Sequence, residues 1–184
     1  MQIKEQVVIL VDEHDNPIGE SEKLLAHQQG LLHRAFSVFI FRQYEGQQQL
    51  LLQRRALHKY HCGGLWTNTC CSHPYPDEDT LVAAKRRLFE EMSLTTPLKA
   101  VGAFKYRAEF DNGLCEHEFD HVFVGMAAND VMVIVDPEEV MTYRWMSVDA
   151  VQADYQAHPQ QYTPWFSSAL DLALAARQDN LQRQ

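Results

Sequence analysis

Two rhythms of apolar and polar residues run along this chain. Val7–Val11 (VVILV) is a short apolar run that predicts a strand, and Asp12–Gly19 (DEHDNPIG) after it has the composition of a turn. Arg34–Phe41 and Leu50–Arg54 read as two further strands joined by a polar loop containing Gly46. Leu57–Leu65 (LHKYHCGGL) reads as loop, because a Gly pair interrupts mixed polarity, and Trp66–His73 follows it. The rhythm then changes. Leu81, Ala84, Leu88 and Met92 recur at steps of three and four, predicting an amphipathic helix over Asp79–Met92. Asp77, Glu78 and Asp79 precede it, where negative charge suits the positive end of the helix dipole. Phe104–Phe110 and Glu116–Met126 flank Asp111-Asn112-Gly113, a strong hairpin turn. A second helix is expected from Thr163-Pro164, with Thr as cap and Pro at the first helical position. Strands outnumber helices and both are present, so the fold class is α+β, or a layered α/β/α arrangement.

Composition narrows what such a fold can do. The 184 residues show no second compositional block, so one domain over 1–184 is expected. A globule of this length buries roughly 70% of its unfolded surface and needs no staples. With 46% hydrophobic and 22% charged residues, disorder is excluded as a class. The net charge of −9 argues against nucleic acid and against an anionic membrane surface. The longest apolar runs, such as Val7–Val11 and Val131–Val135, fall far short of a membrane span, and no secretory signal pattern opens the chain. The cysteines are Cys62, Cys70, Cys71 and Cys115, and a cytoplasmic setting with reduced thiols is expected. Such a thiol is free to act as nucleophile, base or ligand.

Three groups of residues could carry chemistry. His27, His33, His73, Glu116 and Glu118 have the character of a scattered metal site. Glu116 and Glu118 alternate along a strand and project from one face, where two like charges repel. A bound cation would relieve that repulsion; a solvated strand face is the other reading. In an extended stretch Cys71 and His73 share a face and Cys70 points away, so Cys70 reads as a small buried hydrophobe and Cys71 as a candidate reactive thiol. The third group is cationic: Arg54-Arg55 with Lys59, and Arg86-Arg87 on the predicted helix. Arg suits forked recognition of phosphate oxygens. Arg87 precedes Glu91 by four, the weaker order for a helix pair, so helix stability alone explains the pair poorly. Beside a metal site, these cations suggest a diphosphate ligand.

Ser72–Leu94 reads S-x5-E-x7-R-R-L-F-E-E-M-S-L and resembles the Nudix box, G-x5-E-x7-R-E-U-x-E-E-x-G-U, with U aliphatic. Glu78, Arg86, Glu90 and Glu91 match in register. Ser72 and Ser93 replace the box glycines, and Arg87 replaces a Glu that helps hydrolases build a metal cluster. Arg54-Arg55-Ala56-Leu57, Trp66-Thr67-Asn68, Cys71-Ser72-His73-Pro74, Tyr106-Arg107-Ala108 and Glu116-His117-Glu118 then follow the order seen in type 1 isopentenyl-diphosphate Δ-isomerases, with His27 and His33 ahead and Trp165 behind. This resemblance covers about residues 5–170.

The resemblance implies a Nudix-type α/β/α sandwich with a mixed β-sheet. It implies that His27, His33, His73, Glu116 and Glu118 hold one divalent metal, Mn²⁺ or Mg²⁺ (or Zn²⁺). Glu91 and the main-chain carbonyl of Cys71 would help bind a Mg²⁺ on the diphosphate. Lys23, Arg55, Lys59 and Arg87 would contact the diphosphate, with Ser72 beside them. Cys71 and Glu118 would form the acid–base pair with Tyr106 steadying one of them, and Trp165 would face a carbocation. Glu90 keeps a Nudix diphosphohydrolase as the alternative activity. A silent ligand-binding module is a third reading, and it would predict loss of an acid–base residue.

Overall fold

A computed structural model describes the backbone of residues 7–181 and the side chains of residues 7–176. The expected domain limits at 1 and 184, and residues 5 and 6 of the resemblance, lie outside the described residues. The elements run β1 (Val7–Val11), β2 (Pro17–Glu22), α1 (Lys23–Gln29), β3 (His33–Tyr44), β4 (Gln47–Arg55), β5 (Trp66–Thr67), β6 (Cys70–Ser72), α2 (Thr80–Met92), β7 (Leu98–Glu109), β8 (Cys115–Met126), β9 (Val140–Ser147), α3 (Val148–Ala157) and α4 (Phe166–Leu181).

The long strand β3 is the spine of a mixed sheet. It runs parallel to β8 from His33↔Glu118 to Phe41↔Met126 and antiparallel to β1, β4 and β6. Alternation along β3 feeds two cores, since successive side chains leave opposite faces of a strand. Phe36, Val38 and Ile40 pack with Ala83, Ala84, Leu88 and Met92 of α2. Phe39 and Phe41 pack with Val148 and Val151 of α3 and with Phe166, Ala169 and Leu170 of α4. The sheet is therefore covered on both sides.

The helix predicted over Asp79–Met92 forms as expected. Asp79 is its cap and accepts hydrogen bonds from the Leu81 and Val82 amides, a contribution of about 1 kcal/mol. Ser93 ends α2 with φ 53°, in the left-handed region, at the place where the Nudix pattern carries Gly. A residue with a β-carbon costs about 1–2 kcal/mol there. Ser93→Gly is expected to raise the unfolding free energy by about 1 kcal/mol, measured by urea unfolding. Beyond the helix, Ile134 and Asp136 donate amides to the carbonyls of Met92 and Glu91, and Val133 is buried against the first core. The apolar run Val131–Val135 thus seals a helix end instead of pairing as a strand.

Between β3 and β4 the sheet splits. The two pair only where Phe41–Tyr44 meets Gln47–Leu50; further in, β6 pairs with β3 and β5 pairs with β4. Asn68 and Thr69 join these short strands and carry the missing ladder. The Ile40 amide donates to Thr69 Oγ1 (2.9 Å), which donates onward to the Leu51 carbonyl (2.7 Å). Asn68 Nδ2 donates to the carbonyls of Val38 (3.1 Å) and Cys70 (2.8 Å). These groups are buried, where an unpaired polar atom would cost about 1–3 kcal/mol each. A polar wedge thus holds open a gap in the sheet, and Cys71 sits on its edge.

Some elements differ from the sequence pattern. The end of the predicted turn Asp12–Gly19 becomes β2, a polar and largely exposed strand with no apolar alternation. The expected helix at Thr163-Pro164 begins at Phe166, because the chain first makes a turn in which the Phe166 amide bonds the Thr163 carbonyl (3.1 Å). That turn leaves Trp165 pointing into the interior at 3% exposure.

Candidate active site

A cavity of about 590 Å³ lies beside the split in the sheet. Of the residues singled out from sequence, Lys23, Arg55, Lys59, Cys71, Ser72, His73, Arg87, Tyr106, Glu116, Glu118 and Trp165 line it. His27 and His33 are fully buried, in ring contact with each other and with His73. Glu91 is buried, outside the cavity wall, and bound by Arg87 and Gln53.

One ligand atom from each of His27, His33, His73, Glu116 and Glu118 comes within 4.8 Å of all the others. The β8 register explains the carboxylates: Glu116 and Glu118 leave the same face, beside His33 on β3. The histidines are prepared by their own backbones. His27 Nδ1 bonds the Lys23 carbonyl (2.6 Å) and His33 Nδ1 bonds the Leu31 carbonyl (2.8 Å). With Nδ1 donating, each Nε2 presents a lone pair inward, as metal-binding histidines usually do. His27 Nε2 then stands 3.2 Å from Glu116, and His33 Nε2 3.5 Å from Glu118 without a hydrogen-bond partner. Acceptors face acceptors, so a divalent cation fits this nitrogen–oxygen set. Burial drives the His73 imidazole well below its ordinary range, which keeps it neutral as a ligand must be.

The residues expected to handle protons lie in this cluster or beside it. Burial pushes the Glu118 carboxyl up, but the hydrogen bonding around it outweighs burial, and the group stays well below the usual carboxylate range. Tyr106 donates to Glu118 at 2.7 Å and reaches Glu116 at 3.3 Å; burial, with those carboxylates, keeps its hydroxyl protonated. Cys71 donates to Asn68 Oδ1 (3.0 Å) and accepts from the Trp165 indole N–H (3.2 Å). Burial, reinforced by the charge of Asp120, pushes its thiol up to about 12. Cys70, one residue away, is fully buried in the α2 core, as the alternation predicts.

The cations separate into two kinds. Arg55 stacks 5.5 Å from the Trp165 ring, and Lys23 lies 5.5 Å from the Tyr60 ring. Burial, helped by the charge of Lys59, brings Lys23 down to about 8. Its charge is complete below that pH and is lost above it. Binding of inorganic diphosphate is therefore expected to weaken as pH rises from 7.5 to 9.5, measured by calorimetry; an affinity flat across that range would contradict it. Arg54 departs from expectation: its guanidinium bonds the Gly64 carbonyl (2.8 Å) and lies outside the cavity wall. Arg86 reaches the wall but is clasped by both Glu78 oxygens, at 2.8 and 2.9 Å. The Nudix-pattern pair Glu78 and Arg86 thus braces the approach to α2.

Among the wall residues that the sequence pattern does not single out, Glu139, Asp120 and His61 have charged partners in the site. Glu139, just before β9, pairs with both Lys59 and Arg87. Asp120 continues the Glu116–Glu118 alternation by one step, a signal that was available. It accepts from Ser37 Oγ (2.8 Å), and burial beside Glu118 raises it well above the carboxylate range. His61, from the loop Leu57–Leu65, contacts Glu116. Its only sequence signal is the Gly63-Gly64 pair: a β-carbon on Gly63 would stand 2.5 Å from the Leu57 carbonyl oxygen, so the loop folds tightly enough to turn His61 inward.

Residues 31–166 match the NUDIX domain, so fold and site together define a Nudix-class protein. Its fold is shared with the crystal structures of DR0079 from Deinococcus radiodurans (TM-score 0.63, 18% identity, 82% of this chain and 89% of that one) and MutT protein from Methanosarcina mazei Go1 (TM-score 0.59, 18% identity, 81% and 95%). The chain is 50% identical over 159 residues to isopentenyl-diphosphate Delta-isomerase of Pectobacterium atrosepticum, covering 86% of each, and 47% identical over 176 residues to isopentenyl-diphosphate Delta-isomerase 2 of Aromatoleum aromaticum, covering 96% of this chain and 90% of that one. This chain belongs to the isopentenyl-diphosphate Delta-isomerase family of Nudix-domain enzymes. No helix among the described residues is long and apolar enough to cross a membrane.

Proposed function

We propose that this chain, a single Nudix-type domain over residues 1–184, interconverts isopentenyl diphosphate and dimethylallyl diphosphate in the cytoplasm. The observation that carries this reading is a thiol and a carboxylate, Cys71 and Glu118, facing one cavity beside the Trp165 ring, with Lys23, Arg55, Lys59 and Arg87 in the same wall. The reaction adds a proton at one end of an alkene and removes another two carbons away. It needs two proton-transfer groups and no hydride carrier.

Glu118 donates a proton to the terminal alkene carbon, giving a tertiary cation, and Cys71 as thiolate removes a proton from C2. In the reverse direction the thiol donates to C2 and the Glu118 carboxylate removes a methyl proton. The acidities described above hold the proton on Cys71 and not on Glu118, the starting pattern for the reverse direction. Tyr106 holds the Glu118 carboxylate in place. Trp165 offers its π-face to the cation, an effect of about 2 kcal/mol once water is excluded. Water must stay out, because it would trap the cation as an alcohol.

Lys23, Arg55, Lys59 and Arg87, with Ser72, bind the diphosphate. His27, His33, His73, Glu116 and Glu118 would hold Mn²⁺ or Mg²⁺ (or Zn²⁺), and Glu91 with the Cys71 carbonyl would help hold a Mg²⁺ on the diphosphate. When bound, these ions supply the positive charge that lets buried carboxylates and phosphates share the site.

The test is to incubate the protein, Mg²⁺ and isopentenyl diphosphate in D₂O and follow the products by NMR. Dimethylallyl diphosphate carrying deuterium is the expected product. Released phosphate would instead establish the Nudix diphosphohydrolase, and unchanged substrate would establish a silent binding module.

A further inference from the structure

We propose that His61 is a positioning residue for the metal centre: its Nε2–H holds the Glu116 carboxylate toward the cation. The inference rests on the metal-binding reading above and adds a residue outside the five converging donors.

His61 is buried at 8% exposure, and its Nε2 lies against Glu116 Oε1, the oxygen that also faces His27. Its other ring nitrogen, Nδ1, is buried and has no partner. That is the opposite of His27 and His33, whose Nδ1 atoms are both engaged by backbone carbonyls. A neutral imidazole carries one N–H. On His27 and His33 the carbonyls fix it at Nδ1 and free Nε2 to be a ligand. On His61, among the described residues, the Glu116 carboxylate is the acceptor in reach, which fixes the hydrogen at Nε2 and leaves no lone pair for a metal on that side.

The surroundings support orientation over ligation. The His61 ring is packed among Tyr60 (4.6 Å between centroids), Phe110 (5.3 Å) and Trp165 (6.4 Å). The loop beneath it is tied down, since Asn112 Nδ2 in the β7–β8 turn donates to the Tyr60 carbonyl (2.8 Å) and the Gly64 amide donates to the Arg55 carbonyl (3.0 Å). Tyr106 reaches Glu116 Oε2, while His61 and His27 both face Oε1, so His61 bears on the oxygen turned toward the histidines. Partners of this kind, once removed, typically weaken metal binding by about 10–100-fold.

The experiment measures Mn²⁺ affinity by electron paramagnetic resonance for the parent protein, His61→Gln and His61→Phe. Gln keeps an N–H near the Nε2 position; Phe keeps the ring and loses the donor. We expect His61→Phe to bind Mn²⁺ about 10–100-fold more weakly and His61→Gln to retain the parent affinity. Parent affinity in His61→Phe, or equal loss in both variants, would overturn the proposal and leave the metal site intact. Failure of the parent itself to bind Mn²⁺ would overturn the metal reading as well. A second measurement avoids variants that fold poorly: imidazole ¹⁵N NMR of the Zn²⁺-loaded parent. Metal-ligated nitrogens in His27, His33 and His73 and a slowly exchanging Nε2–H in His61 are expected. A ligated nitrogen or a rapidly exchanging proton at His61 would overturn the proposal.

Discussion

Cys71→Ala lowers kcat by about 10²–10⁴-fold with little change in KM for the diphosphate, whereas Cys70→Ala keeps its activity. The magnitude is that of losing one positioned proton-transfer group. The split follows from where the sulfur sits. Its partners are Asn68, Thr67 and the Trp165 indole, and none of the side chains proposed to contact the diphosphate is among them. Cys70 faces the α2 core, so its truncation costs packing without touching the reacting atoms. Cys71→Ser sharpens the result: a hydroxyl restores the hydrogen bonds but ionises far less readily than a thiol, so activity stays low. Steady-state kinetics on the three variants decides it. Activity surviving in Cys71→Ala and lost in Cys70→Ala would move the acid–base role to the neighbouring residue.

Arg87→Ala lowers the unfolding free energy by about 3 kcal/mol and weakens diphosphate binding in the same protein. One nitrogen, Nη2, serves both Glu91 at 2.7 Å and Glu139 at 3.2 Å, and Nη1 reaches Glu90 at 2.9 Å. Glu91 is 3% exposed, so removing the guanidinium leaves a buried carboxylate facing the neutral Gln53 amide without its Arg87 charge partner. The measurement is urea unfolding with and without inorganic diphosphate. Arg87→Lys recovers only part of the loss, because a single ammonium cannot fork between carboxylates on α2 and the segment before β9. An unfolding free energy within about 0.5 kcal/mol of the parent, the range of ordinary surface changes, would show that the cluster is better solvated than its burial indicates.

What could be read from sequence depended on how local each signal was. The α2 boundaries come within one residue of expectation because an apolar stripe and an Asp cap lie inside the segment itself. Cys70 and Cys71 divide between core and cavity because strand alternation is equally local. Conversely, α1, β9 and α3 were not anticipated. In β9 only Val140 is buried and the other residues grade from exposed to half-buried, so no period of two emerges; it is held by pairing to β4, which no short window contains. The same reasoning covers the site. Glu116 and Glu118 announced themselves by spacing and by the motif around them, whereas Glu139 and His61 arrive from loops through contacts more than 50 residues apart in sequence. Asp120 is the exception, legible by alternation as the next residue on the face of Glu116 and Glu118.

The wedge of Asn68 and Thr69 has an effect on how the enzyme can change. By parting β3 from β4 it gives the cavity access to two layers of the molecule at once: Arg87 arrives from the helix on one side of the sheet, and Trp165 from the chain entering the helix on the other. On the proposed roles, the Arg87 contact to the head group and the Trp165 face to the alkene are therefore carried by elements packed into different hydrophobic cores. A substitution that loosens one core need not disturb the other, so affinity for the charged end and turnover at the carbon end can drift independently through mutation. A closed ladder at this point would have bound both to a single layer.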